Sequence, residues 1–304
     1  MKSYRFVQVD VFTSRAFGGN PLAVFPDAEG ISDDEMQMIA RELNLAETAF
    51  VLPPDDPRAD VKVRFFTPGT ELPFAGHPTV GTHVVLAQEG RYKLESPVTR
   101  IHQQIKLGVL PVDLIVEGGT VERAIMTQAE LGFGDFVDDI HLLADALGLR
   151  PGDIETDPPP RIATTGLPGL MVPLKSREAV DRIQPNLPVF NKLCEMMHVD
   201  QIEPFSMQTW DPSNTVHARN FGPPWTGVLE DPATGSLGGA LGGYLVHHQV
   251  IPPEEPTTRI VIEQGFKMGR PSLIEVLVDV KGRSVRQVRV GGQVVRLIEG
   301  TLTF

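Results

Sequence analysis

A single cysteine, Cys194, is present in 304 residues. One thiol cannot form an internal disulfide, and no catalytic thiol pair can be assembled within one chain. Basic residues are also scarce, with 27 Lys and Arg against 39 Asp and Glu and a formal net charge of -12. Nucleic acid and anionic membranes both require a basic footprint, so neither is expected as a partner. A small anionic substrate is compatible with this balance, because a local nest of backbone amides binds one regardless of net charge. No stretch approaches the roughly 18 uninterrupted apolar residues of a membrane span. The opening "MKSYRFVQVDVF" alternates like a strand and has no apolar h-region. A cytoplasmic location is expected from these features together. Hydrophobic content of 41% and charged content of 22% are those of a globular protein with room for two modest domains.

Apolar periodicity then divides the chain. At the start, Arg5, Val7, Val9 and Val11 share one strand face and Tyr4, Phe6, Gln8 and Asp10 the other. A Gly-Asn-Pro turn leads to a second strand at Leu22 to Phe25. "SDDEMQMIARELN" predicts a helix with a capping box of Ser32 and Glu35, a stripe of Met36, Ile39, Ala40 and Leu43, and a left-handed stop at Asn44. The strand "ETAFVL" follows, so Glu47 stands at its entrance. "VKVRFF" is a further strand, and "FAGHPTVGTHVVLAQE" predicts a helix that is apolar on most sides and therefore buried. Helices are also predicted in "DIHLLADALGL", "SREAVDRI" and "NLPVFNKLCEMM". "DPPPR" and "LPGLMVPL" read as irregular connections leading to a strand.

Near residue 231 the pattern recurs. "EDPATGSLGGALGGYLVHHQ" is again an acid beside proline, a Gly-Thr-Ser turn and a small-residue helix. Gly238, Gly239, Gly242 and Gly243 each weaken that helix by roughly 1 kcal/mol relative to alanine, which close packing on a barrel axis explains. His77 and Ser236 lie about half the chain apart, the spacing of a duplicated fold. The expected organisation is an N-terminal barrel domain, 1–118, completed by the strand 295–304, and a C-terminal barrel domain, 119–294.

Three segments carry reactive groups. Glu47 is either a wet strand-edge glutamate or a general acid/base that its apolar neighbours keep protonatable near neutral pH. His77 is either a helix-entry residue or a proton relay at the positive end of a helix dipole. Asp231 and Ser236 are each common capping residues. Their joint occurrence favours chemistry: two anion-binding helix N-termini, each with a carboxylate or an imidazole, suit a site that moves a proton on a small acid in an interdomain cleft. No Walker A, Rossmann glycine fingerprint or zinc-type spacing is present. His247 and His248 are adjacent and make a poor metal pair. A Ser236–His77–Asp231 hydrolase lacks a Gly-x-Ser-x-Gly elbow.

"DVFTSRAFGGNPLAVF", "NLAETAFVLP", "RFFTPGTELPFAGHPTVGTHVVL", "EDPATGSLGGALGGYL" and "QGFKMGRPS" together resemble the PhzF family of phenazine biosynthesis isomerases, over nearly the whole chain and in the same order. The resemblance implies a diaminopimelate-epimerase-like α/β fold of two pseudo-symmetric domains, each a mostly antiparallel barrel around a central helix. It implies a cofactor-independent reaction and a homodimer. Carried over by motif, the acid/base falls on Glu47, with His77, Asp231 and Ser236 as further catalytic residues. Gly76, Thr234 and Gly235 would hold the substrate carboxylate. The cysteines of thiol-dependent epimerases of this fold are replaced here by Ala75 and Thr234, which favours isomerisation over two-thiol racemisation. The segment Gly222 to Trp225 stands where many relatives have a simpler Phe-Ala-Pro, and it is expected to reshape the substrate pocket.

Overall fold

The computed structural model describes all residues, 1–304. The chain is a mixed α/β protein that packs as two units, Met1–Thr127 with Gly291–Phe304, and Gln128–Val290.

In the first unit the strand Ser3–Val11 lies between Asn20–Phe25 and Val294–Thr303, antiparallel to both. The sheet continues through Glu47–Leu52, Val61–Phe66, Val98–Ile105, Gly108–Glu117 and Thr120–Thr127. Helix α1 (Asp33–Leu43) begins with the reciprocal Ser32–Glu35 capping box and ends at Asn44 in the left-handed region, φ 50°. Its Met36, Ile39 and Ala40 pack on Phe25, Phe50 and Phe66, where the Phe25 and Phe50 rings stack at 5.0 Å. Fully burying a side chain such as Met36 or Ile39 contributes about 1.5–3 kcal/mol. Helix α2 (His77–Gln88) is buried from His77 to Ala87 and packs against Ser3–Val11, Asn20–Phe25, Glu47–Leu52, Gly108–Glu117, Thr120–Thr127 and Val294–Thr303. The sheet therefore wraps the helix.

In the second unit, Gly132–Phe136, Arg161–Thr164 and Pro168–Pro173 form antiparallel neighbours, and Ile202–Ser206 joins the last of them in parallel. Val216–Ala218, Thr257–Gln264 and Ser272–Lys281 extend the sheet. Helices α3 (Ile140–Leu147), α4 (Arg177–Arg182) and α5 (Leu187–Met197) follow the predicted stretches. Leu143, Leu147, Phe190 and Leu193 meet Ile162, Leu170, Val172 and Ile202 in one apolar cluster. Helix α6 (Gly235–His247) packs against Arg161–Thr164, Pro168–Pro173, Thr257–Gln264 and Ser272–Lys281. A Cβ at Gly242 would come within 2.6 Å of Val276 Cγ1, so the small residue is what lets the strand approach. That contact supplies the reason for the helix's low propensity.

One local reading differs from the structure. "LPGLMVPL" contains a strand, Pro168–Pro173, whose two prolines sit at its ends, where a missing N–H is tolerated. Asp10, on the strand face shared with Tyr4, Phe6 and Gln8, is fully buried and accepts a hydrogen bond from the Phe17 amide at 2.7 Å. The chain folds back over it, so both faces of that strand end are covered.

Candidate active site

Glu47 is the first residue of Glu47–Leu52 and is placed by the helix stop before it. The Asn44 turn closes on Ala40, the chain reverses through two residues, and Glu47 enters the ladder opposite Leu22. It is half-buried, whereas Thr48 to Phe50 behind it are enclosed. Glu47 thus sits where an apolar wall ends.

His77 opens α2, with Gly76 as its cap (φ −82°, ψ −81°) and no side-chain cap on the helix. The imidazole is 6% exposed and its Nε2 has no hydrogen-bond partner in the protein. Burial pushes its pKa down to about 3, so the ring is neutral at physiological pH. A neutral ring can give or take a hydrogen bond from a reacting oxygen without bringing a fixed charge.

A polar chain along α2 fixes this end of the helix. The Thr79 hydroxyl donates to Ala75 O at 2.8 Å, and Gln103 Nε2 donates to Thr79 Oγ1 at 3.3 Å. Gln103 Oε1 lies 3.0 Å from His83 Nε2, and His83 Nδ1 lies 2.9 Å from the Tyr92 hydroxyl. One assignment satisfies every member: Tyr92 donates to Nδ1, and the Nε2 proton goes to Gln103. Burial pushes His83 down to about 4, which keeps it neutral in that role. A cavity of about 340 Å³ lies where Leu52, Leu86, Arg91 and Tyr92 meet. It belongs to the far ends of the strand and helix that begin with Glu47 and His77, so it is not part of the site.

In the second unit Asp231 closes a two-residue strand, Glu230–Asp231, opposite Asn220. Thr234 caps α6 without bonding to it; its hydroxyl donates instead to Asp231 Oδ2. Gln264, fully buried, clamps the turn from behind. Its Nε2 donates to Asp231 O at 2.8 Å and to Thr234 Oγ1 at 3.0 Å, and its Oε1 accepts from Thr234 N at 3.2 Å. Ser272 Oγ lies 2.9 Å from Pro232 O. Gly265, at φ +75°, allows Pro232 O to approach within 2.6 Å of where a Cβ would stand. Gly235 is buried at the helix start, and Ser236 beside it is half-buried. The first amides of an uncapped helix carry partial positive charge suited to a carboxylate.

The structure thus places Glu47, Gly76 and His77 in the first unit and Asp231, Thr234, Gly235 and Ser236 in the second. Reading the sequence missed Gln264 and Ser272. Gln264 had a signal: it shares its strand face with Thr258, Ile260 and Ile262, an inward position for a polar side chain. Replacing Gln264 with leucine keeps the volume and removes three hydrogen bonds. We expect a loss of about 1–3 kcal/mol from the polar groups left unmatched, read as a lowered urea midpoint at unchanged slope.

Gly222 to Trp225 precedes this turn. Trp225 is 52% exposed and its Nε1 donates to Asp200 at 2.9 Å, which tethers the segment to the loop before Ile202–Ser206. No three His, Cys, Asp or Glu side chains converge as metal ligands. Cys194 is buried in α5, where burial raises its thiol to about 12 and leaves it unreactive. No helix is long and apolar enough to cross a membrane.

The family model for phenazine biosynthesis-like protein matches residues 9–300. An uncharacterized isomerase of Clostridium acetobutylicum is 35% identical over 100% of this chain and 99% of its own. The trans-2,3-dihydro-3-hydroxyanthranilate isomerase of Pseudomonas aeruginosa is 34% identical over 98% of each chain. The crystal structure of a Bacillus anthracis phenazine biosynthesis protein of the PhzF family superposes with a TM-score of 0.89, at 30% identity and over 100% of both chains. With matches that span both units in full, the chain belongs to the PhzC-PhzF family of phenazine biosynthesis-like proteins and is an isomerase.

Proposed function

We propose that this isomerase moves a proton on a small cyclic or unsaturated carboxylic acid by acid/base catalysis, with Glu47 as the group that carries the proton. The observation that carries the reading is His77. Its enclosed Nε2 has no protein partner, at the head of the buried helix in the unit that bears Glu47. A polar atom left open in an otherwise satisfied core has a ligand as its natural partner.

In this reading Glu47 removes a proton from carbon and returns it at another position of the same molecule. Neutral His77 hydrogen-bonds the substrate and stabilises the charge that develops on it. The uncapped turn Thr234–Gly235–Ser236 receives the carboxylate, and Asp231, held by Thr234 and Gln264, orients a polar substituent or relays a proton. The chemistry uses only side chains of this protein. It requires that residues of both units act on the same substrate molecule.

Trans-2,3-dihydro-3-hydroxyanthranilate, the substrate named for the Pseudomonas aeruginosa relative, is the first acid to test. Incubation in D2O followed by NMR should show a double-bond isomer, with deuterium at the carbon that receives the proton. Binding without any isomer or isotope exchange, across a panel of unsaturated cyclic acids, would support a small-acid-binding protein instead.

A further inference from the structure

Behind the Asp231 turn lies a second carboxyl. Glu203, in Ile202–Ser206, is fully enclosed. Along that strand Ile202 joins the cluster of α3 and α5, so Glu203 and Phe205 face the other way, where Phe205 meets Tyr244 of α6 at 5.9 Å between ring centroids. Asn220 Nδ2 donates to Glu203 Oε2 at 2.7 Å, while Oε1 has no partner in the protein. Asn220 is the residue that pairs with Asp231 across the ladder. Glu203, Asn220 and Asp231 are therefore consecutive neighbours.

Ionisable groups on the surrounding elements are engaged elsewhere. His217, next on Val216–Ala218, lies 3.4 Å from Asp181 and 3.5 Å from Glu263. Arg219 is bidentate to Glu230. Arg177 and Arg182 of α4 meet Glu178, Asp181 and Asp153. Tyr244 donates its hydroxyl to Pro159 O at 2.8 Å. No cation is paired with Glu203, and the charge that acts on it is that of Asp231. An enclosed carboxylate with one hydrogen bond, no counter-ion and a like charge nearby is stable only when it holds a proton.

We propose that Glu203 is a positioning residue that stays a neutral carboxylic acid and, through Asn220, keeps Asp231 as the single charged member of the pair. The proposal rests on the reading of Asp231 as part of the reaction site. The pair behaves as a coupled system: removing one charge moves the titration of the other group.

The test is a carbon-detected carboxyl NMR titration of labelled parent protein, Glu203→Gln and Asp231→Asn. In the parent, one glutamate carboxyl should remain protonated at pH 7 and be missing from Glu203→Gln. In Asp231→Asn it should titrate lower by roughly one pH unit or more. An ionised Glu203 at pH 7, or one unmoved by Asp231→Asn, overturns the proposal. In turnover assays the parent kcat should decline at alkaline pH as Glu203 ionises beside Asp231, whereas Glu203→Gln, which copies the neutral acid, should stay within about twofold of the parent kcat at pH 7 and lack that decline. A Glu203→Gln profile that declines as the parent's does also overturns it. If the parent isomerises none of the acids, the isomerase reading of the site fails, and the NMR titration still decides the state and coupling of Glu203.

Discussion

Between pH 6.5 and pH 4.5 two buried histidines are expected to remove about 4 kcal/mol of folding free energy. Glu203, which holds its proton when folded and ionises when unfolded, is expected to offset about half of that loss. His77 and His83 are 6% and 0% exposed, and burial holds them at about 3 and about 4. In the unfolded chain both titrate near 6.5. Above that value neither state binds the proton and the histidines do not affect stability. As pH falls below it, the unfolded chain gains protons that the folded chain refuses, and stability declines at up to about 1.4 kcal/mol per pH unit for each ring. The decline ends only when pH reaches the folded values. Carboxylates held low by ion pairs, such as Asp56 at about 2, add their losses at lower pH and do not obscure this window. Urea unfolding at pH 6.5, 5.5 and 4.5 measures the effect. His77→Asn should lessen the histidine loss by about 2 kcal/mol over this window, and a pH dependence unchanged in that variant would show that His77 is not held neutral.

The largest effect on activity is expected from Glu47→Gln. The substitution keeps the side chain's shape at the entrance of Glu47–Leu52, where the residue is half-buried and its backbone is held in the ladder opposite Leu22. Little folding energy is at stake, so the thermal midpoint should move by no more than a few degrees. Turnover should fall by about 10²–10⁴, the usual contribution of a positioned acid/base. KM should change little, since binding of the carboxylate is assigned to the Thr234–Gly235–Ser236 turn. A large rise in KM at unchanged kcat would assign Glu47 to substrate binding and not to proton transfer.

Much of the architecture was legible because the chain's local signals agree with its packing. The capping box and apolar stripe specify α1. The all-round apolar character of α2, and the costly glycines of α6, mark both as helices enclosed by strands. The position of Glu47 also followed from local chemistry, since a left-handed Asn44 must end the helix just before the strand. The polar residues that hold the site in place were harder to see. Glu203 lies in a five-residue strand, "IEPFS", whose two faces are both buried, so alternation says nothing about which side chain is enclosed. Gln103 and His83 belong to segments that read as ordinary strand and helix, and their pairing depends on the sheet wrapping around α2. A buried hydrogen bond between residues distant in sequence leaves no periodic signature.

The central claim is that Glu47 moves a proton on a bound carboxylic acid. It is tested most directly by the rate at which deuterium from D2O enters trans-2,3-dihydro-3-hydroxyanthranilate, or whichever acid of the panel the parent protein turns over, compared between parent and Glu47→Gln. The account predicts exchange with the parent and a rate reduced by about 10²-fold or more with the folded variant. Exchange by Glu47→Gln at the parent's rate would contradict it.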